Sequence, residues 1–362
     1  MAGETKFEGW CGLDKNSADG NLKWQAYDAK VWEETDVDIE ISHCGVCGSD
    51  LHTLRSGWGE TPYPAVVGHE IVGKAIRVGK DAKTASGKSI KEGDRIGVGA
   101  QSRSCLKPDC EMCSEGIENH CTNDFVQTYG MKYPNGDIAQ GGYAKYWRGH
   151  SHFVFHIPDA VSSEMAAPML CGGVTTYSPL KQNGCGPGKR VGVVGIGGLG
   201  HFGLLWAKAL GADKVVAISR GRTKEEDARK LGADDFIATS EEGWETKHAN
   251  SLDIIISSVS SPKMPLAGYL SLLAFRGRYV QLGIPEKPLP EIPAAALVMK
   301  NATMGGSLIG APNEIEEMLQ LAADKGVKAW INERPMKEAN QAIKDFDAGK
   351  PRYRICLVNE KP

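Results

Sequence analysis

The chain has no block of lysine and arginine, no long apolar run and no low-complexity tract. Each absence removes a class of function. Forty-two basic against 45 acidic residues leave a net charge of −3, so binding nucleic acid or anionic membrane is not expected as a main activity. The least polar stretch, VGVVGIGGLGHFGLLWA (191–207), is interrupted by glycines and a histidine and is too short to span a bilayer. The opening MAGETKFEGWCGLDKNSADG lacks a basic start followed by an apolar segment, so no secretory signal is expected. The closing NEKP matches neither an endoplasmic-reticulum nor a peroxisome address. A reducing cytoplasm is the expectation, and there clustered cysteines hold metal more often than they form disulfides.

What is present points to two domains. A chain of 362 residues exceeds what one hydrophobic core usually supports. Its 44 glycines exceed the usual share of roughly 7% and demand many tight turns or close backbone approaches. The first 160 residues read as β-rich, with short runs such as VDIEIS (37–42), AVVGHEIVGKAIRVG (65–79) and DRIGVG (94–99) separated by Gly, Pro and Asp. From about residue 188 strands alternate with helices. RVGVVG, KVVAIS, DDFIAT, SLDIIISSV and RYVQLG read as strands; the stretch to Gly211, TKEEDARKLG and PLAGYLSLLAF read as helices. That alternation predicts a parallel, doubly wound sheet. Asn313 with Glu316 forms a cap pattern ahead of EIEEMLQLAAD, and the last fifty residues show no further clear alternation.

Gly195-Ile-Gly197-Gly198-Leu199-Gly200 is G-x-G-x-x-G, directly after a strand and opening a helix. In that context the pattern predicts a dinucleotide site, with glycines for the turn, the backbone approach and the helix–strand packing. The second strand ends AISRGRTK, with no carboxylate until Glu225. An acidic residue there would bind a ribose 2′-hydroxyl; Ser219, Arg220 and Lys224 instead suit a 2′-phosphate, so NADP is the expected cofactor. Arg222 lies in the same turn. Cys105, Cys110, Cys113 and Cys121 follow a C-x4-C-x2-C-x7-C spacing, and four thiolates with no open position describe a structural zinc clip.

Six segments carry a resemblance over essentially the whole chain and in order: HCGVCGSDLH (43–52), VVGHEIVGKAIRVG (66–79), GDRIGVG (93–99), QGGYAKY (140–146), AAPMLCGGVTTYSPL (166–180) and VGVVGIGGLGH (191–201). The chain resembles the zinc-dependent medium-chain alcohol dehydrogenases, in their NADP-dependent cinnamyl alcohol dehydrogenase branch. The resemblance implies an α/β protein. A GroES-like, β-rich catalytic domain would take residues 1–170 and 311–362, and a doubly wound Rossmann domain 171–310. It implies a catalytic zinc on Cys47, His69 and Cys171, with Glu70 beside the metal, and a structural zinc on the four clustered cysteines. The family spacing there is C-x2-C-x2-C-x7-C, so LKPD between Cys105 and Cys110 is a departure.

The resemblance further implies a proton relay through Ser49 and His52, with Asp50 orienting nearby groups. Thr175 is implied at the nicotinamide, Trp58 as a wall of the substrate pocket, and Arg354 at the cofactor's pyrophosphate. Cys44 and His201 are expected to pack rather than to react. The implied activity is reversible reduction of aromatic and aliphatic aldehydes to primary alcohols by NADPH, in a cytoplasmic homodimer with small-molecule substrates only. The competing expectation is an NADP-linked polyol or sorbitol-type dehydrogenase.

Overall fold

A computed structural model describes residues 5–359. The first four and last three residues, part of the terminal stretches read for address signals, lie outside them. The chain divides into two compact units: Met1–Cys171 with Ala311–Gly326 and Trp330–Pro362, and Gly172–Gly310 with Val327–Ala329.

The first unit is built on the strand Asp36–Gly45, whose apolar Val37, Ile39 and Ile41 are buried. It pairs antiparallel with Ile71–Val78, Tyr146–His150 and Arg354–Val358. The buried carboxylates Asp36 and Asp38 are neutralised locally, by Lys30 at 2.5 Å and by a two-pronged contact from Arg148 at 2.7 and 2.9 Å. Burying a charge without such a partner would be costly. The strand ends at Gly45 and hands the chain through Val46 to Cys47 and the short helix Gly48–Leu54.

AVVGHEIVGKAIRVG forms two strands, Ala65–Val66 and Ile71–Val78. The interruption between them holds Gly68, His69 and Glu70, so the motif occupies a turn between ladders. The last fifty residues correct the expectation of no further alternation. Ile331–Pro335 and Arg354–Val358 pair in parallel, and the helix Ala339–Asp347 falls between them in sequence. Polar INERP, partly exposed on its sheet, gives no period-2 signal.

The second unit carries, among the described residues, one parallel six-stranded sheet. Its order is Asp235–Ala238, Lys214–Ser219, Arg190–Val194, Leu252–Ser257, Leu273–Gln281, Thr303–Gly306. Strand order reverses beside Arg190–Val194, the position at which doubly wound sheets open a ligand crevice. Two local readings change. PLAGYLSLLAF is helix only over Leu266–Ser271, and a strand begins at Leu273. The late helix runs Pro312–Lys325 and begins one residue before Asn313. Ala311 is its cap, and the Ala311 amide donates to Glu314 Oε2 at 3.0 Å. No helix among the described residues is long and apolar enough to cross a membrane.

Candidate functional site

Cys47, His69, Glu70 and Cys171 come from separate elements of the first unit and meet around one point. Cys47 precedes the helix Gly48–Leu54, His69 and Glu70 sit between strands, and Cys171 lies in a π-helical turn, Met169–Gly173. Their ligand atoms lie within 4.8 Å of one another and all four residues are buried. The two sulfurs stand 4.0 Å apart. Two thiolates on one tetrahedral zinc are separated by about 3.8 Å. His69 Nε2 is buried with no hydrogen-bond partner, a cost that a cation at this point would remove. The donor set therefore fits a zinc ion.

The titration behaviour carries the same message. Cys47 is held well below the ordinary thiol range, first by its hydrogen bond with Cys171, then against burial by His69 beside it. Cys171 is pushed well up by the same pairing and by burial. Burial disfavours the charged imidazole of His69, but the Cys47 thiolate, Asp50 and Glu70 outweigh it and raise the group to about 9. Protons and a metal compete for these lone pairs, so such a cluster exchanges protons for metal on loading.

Around the donors stand groups that orient them. Asp50, fully buried, accepts the Cys47 amide at 2.9 Å and the Gly68 amide at 3.1 Å. Tyr129 stacks on His69 with ring centroids 5.0 Å apart. Ser49 Oγ is 3.6 Å from Cys47 Sγ. His52, one turn along the same helix, stacks on Trp58 at 4.4 Å. Trp58 is 40% exposed, so this stack is partly open to solvent.

Arg354, expected at the cofactor's pyrophosphate, is fully buried in the first unit, where its guanidinium donates to Glu70. Its Nε has no hydrogen-bond partner, so the pair with Glu70 does not use all of its donors. Glu70 itself is raised by burial, with Arg354 opposing. Gly45 makes the pairing possible, because a Cβ there would collide with Glu70 Oε2. Sequence reasoning missed this pair, since only the ladder between Arg354–Val358 and Asp36–Gly45 brings residues so far apart in the chain together.

Cys105, Cys110, Cys113 and Cys121 also converge within 4.8 Å, and Cys105 and Cys113 sulfurs stand 3.7 Å apart. The LKPD insertion is absorbed with Leu106 in the left-handed region, φ +50°. The sulfurs have their own donors: the Cys105 amide lies 3.4 Å from Cys121 Sγ and Asn123 Nδ2 3.7 Å from Cys105 Sγ.

The second unit carries a cleft of about 580 Å³ lined by Gly195, Gly197, Ser219, Arg220 and Lys224, with Thr239, Ser258 and Tyr269. Gly195 has φ +85°, which a side chain would strain. A Cβ on Gly200 would fall on the Gly195 carbonyl oxygen, whereas one on Gly197 would meet nothing within 4 Å. Helix and strand thus touch at the third glycine while the second leaves its backbone open to a ligand. Lys224 Nζ donates to the Ile196 carbonyl at 2.6 Å, bringing its charge to the glycine turn. Ser258 Oγ donates to Val194 and Gly195 carbonyls at 3.1 Å, a support sequence reasoning missed. Its only signal was a serine-rich end to the fourth strand. Arg222 pairs with Glu225 and Glu241 and does not line the cleft. Gly198, Leu199 and Thr175 lie at the glycine turn and in the helix Val174–Gln182. His201 is buried with Nδ1 2.9 Å from the Gly198 carbonyl.

Comparison with known proteins gives two family matches: "Zinc-binding dehydrogenase" over residues 198–324 and "Alcohol dehydrogenase GroES-like domain" over 33–159. A Saccharomyces cerevisiae protein named NADP-dependent alcohol dehydrogenase 6 is 43% identical, covering 99% of this chain and 98% of its own. A Fragaria ananassa protein named probable mannitol dehydrogenase is 40% identical, over 97% and 95%. The solved structure of a cinnamyl alcohol dehydrogenase from Sorghum bicolor superposes with a TM-score of 0.90 at 35% identity, covering 98% of each chain.

Proposed function

We infer the activity from a plain premise: the chain belongs to the zinc-binding alcohol dehydrogenases with a GroES-like domain and a Rossmann domain. It is an NADP-dependent oxidoreductase that reversibly reduces aldehydes, aromatic of the cinnamaldehyde type and aliphatic, to primary alcohols. The observation that carries the reading is the buried set Cys47, His69 and Cys171, with Glu70 alongside and a cationic dinucleotide cleft in the other unit. When bound, zinc supplies an electrophile that polarises the carbonyl and NADPH supplies the hydride.

The chain's own groups do the rest. Cys47, His69 and Cys171 hold one zinc in a dry site, and the four clustered cysteines hold a second. Ser49 has its hydroxyl at the edge of the donor cluster, suited to pass a proton to the substrate oxygen. His52, on the same helix face, replenishes that proton, and Trp58 keeps its ring in plane. Arg220 and Lys224, with the Ser219 hydroxyl, meet the 2′-phosphate that separates NADPH from NADH. Trp58 offers an aromatic face to an apolar substrate.

Initial rates with NADPH across aromatic, short and long aliphatic aldehydes test the assignment, with mannitol and sorbitol plus NADP as the counter-test. Faster turnover of the polyols would overturn it. Zinc analysis should return two ions per chain. We also assign a homodimer through the nucleotide-binding unit. The edge strand Thr303–Gly306 is exposed, and so are Phe275, Val298 and Met299 of the same unit, an unusual apolar display for a monomer. Analytical ultracentrifugation tests it. A cytoplasmic location suits the six cysteines of the two donor clusters, whose thiols must stay reduced.

A further inference from the structure

The motif QGGYAKY has no part in the roles assigned so far, yet its tyrosine reaches the metal-ligand loops. Tyr143 is fully buried, and its hydroxyl donates to Asp50 Oδ2 at 2.9 Å. That same oxygen accepts the Cys47 amide, and the other carboxylate oxygen accepts the Gly68 amide, next to His69. One carboxylate therefore ties the loop of one ligand to the loop of another, and Tyr143 fixes the carboxylate.

The segment is laid down rigidly. The Gly141 amide donates to Val66 at 2.7 Å, Gly142 to Gly68 at 2.7 Å and Tyr143 to Val67 at 2.9 Å. Gly68 has φ +98°, and a Cβ there would stand 2.5 Å from the Tyr143 ring and 2.7 Å from Cys44 Sγ. Gly141 likewise presses on the backbone, since a Cβ there would lie 2.5 Å from the Gly68 carbonyl oxygen. The backbones touch because side chains are absent, and the phenol is delivered to one place. Burying an aspartate and a tyrosine together at this depth is costly unless each satisfies the other.

We propose that Tyr143 is a positioning residue for the zinc site, acting through Asp50 to hold the Cys47 and His69 loops at ligand spacing. The proposal rests on reading Cys47, His69 and Cys171 as ligands. Groups that orient metal ligands typically tune affinity by about 10- to 100-fold. Loss of the hydroxyl should therefore leave the fold intact and speed the departure of one zinc ion.

The experiment compares wild type with Tyr143→Phe, which keeps the ring against Gly68 and Cys44. A chromogenic chelator follows release of the two zinc ions. One release phase is expected to quicken about tenfold while the phase from the four-cysteine lobe stays unchanged. Cobalt exchanged into the protein should show an altered d–d spectrum. Asp50→Asn should quicken the same phase, and adding Tyr143→Phe to it should change little further, because both act along one route. Wild-type release rates and cobalt spectrum in Tyr143→Phe overturn the proposal, whatever the melting temperature does, and so does additivity in the double variant. Should Tyr143→Phe fail to fold, an unaltered release phase in Asp50→Asn alone overturns it. A Cys47→Ser protein that keeps both zinc ions overturns the ligand reading instead.

Discussion

The two thiol clusters solve one problem in opposite ways. Cys47 and Cys171 are 124 residues apart and buried, whereas Cys105 and Cys121 are 16 apart in a lobe where Cys105 and Cys113 are only partly buried. The first cluster exists only once the sheet, the His69 turn and the π-helical turn have all formed, so the fold makes the site. In the second the ligands are neighbours in sequence, so the metal organises the segment and the site makes the local fold. The difference teaches where chemistry can sit. A catalytic ion wants a dry, over-determined cage with a position left open, and a structural ion wants a closed one.

The most severe way to break the comparison is Cys47→Ser. Turnover should fall at least about a thousandfold, roughly 4 kcal/mol of transition-state stabilisation, with one zinc lost and the melting temperature little changed. Atomic absorption alongside kcat/KM checks it, and retained activity would place the chemistry elsewhere. Next in size is Arg220→Asp. The preference for NADPH over NADH should shrink by about 10- to 100-fold, the worth of a charged hydrogen bond to phosphate, while metal content stays at two. An unchanged ratio of kcat/KM values would remove Arg220 from the phosphate.

Cys105→Ser sharpens the contrast from the other side. Melting should drop by several degrees with kcat largely kept, because the lobe loses its clip and the catalytic cage does not. Calorimetry and initial rates together decide. If kcat collapses while the protein stays folded, the two clusters are not independent.

The smallest effect concerns acid. His150 lies beside His152, whose Nε2 is 2.9 Å from Glu118 in the four-cysteine lobe. Burial first, then the charges of His152 and Arg103, lowers the His150 pKa to about 4. Its neutral Nδ1 also accepts the His152 amide at 3.1 Å. A folded pKa below the unfolded value means that the unfolded chain binds the proton more readily. Stability should thus be full above about pH 6.5 and decline as pH falls toward 4. The fall in melting temperature over that window should be a few degrees, and His150→Gln should flatten it.

Legibility in the sequence followed distance along the chain. The glycine turn could be read because strand, turn and helix are adjacent, and KVVAIS with the following cations needed no tertiary knowledge. The same holds for the parallel alternation of the second unit. Cys47, His69 and Cys171 could be gathered only by resemblance, since nothing in spacing links them. The pairing of Arg354 with Glu70 could not be read, because the two are 284 residues apart and joined by ladder register alone. PLAGYLSLLAF misled for another reason. An unbroken apolar run fits a buried helix and a buried strand equally, and the change of state falls between Ser271 and Leu273. The helix Ala339–Asp347 does space Ala339, Ala342, Ile343 and Phe346 on one face, but no capping side chain announces its start.

Gly45 carries a consequence for inheritance. Its missing side chain is what lets Glu70 lie beside the strand and meet Arg354. Positions 45, 70 and 354 are therefore expected to behave as one heritable unit. A lineage that gains a methyl at 45 must surrender the glutamate, and having surrendered it must also discharge the buried arginine. The three are expected to change together or not at all, so a single substitution at the glycine would have to cross a valley that a triple replacement avoids.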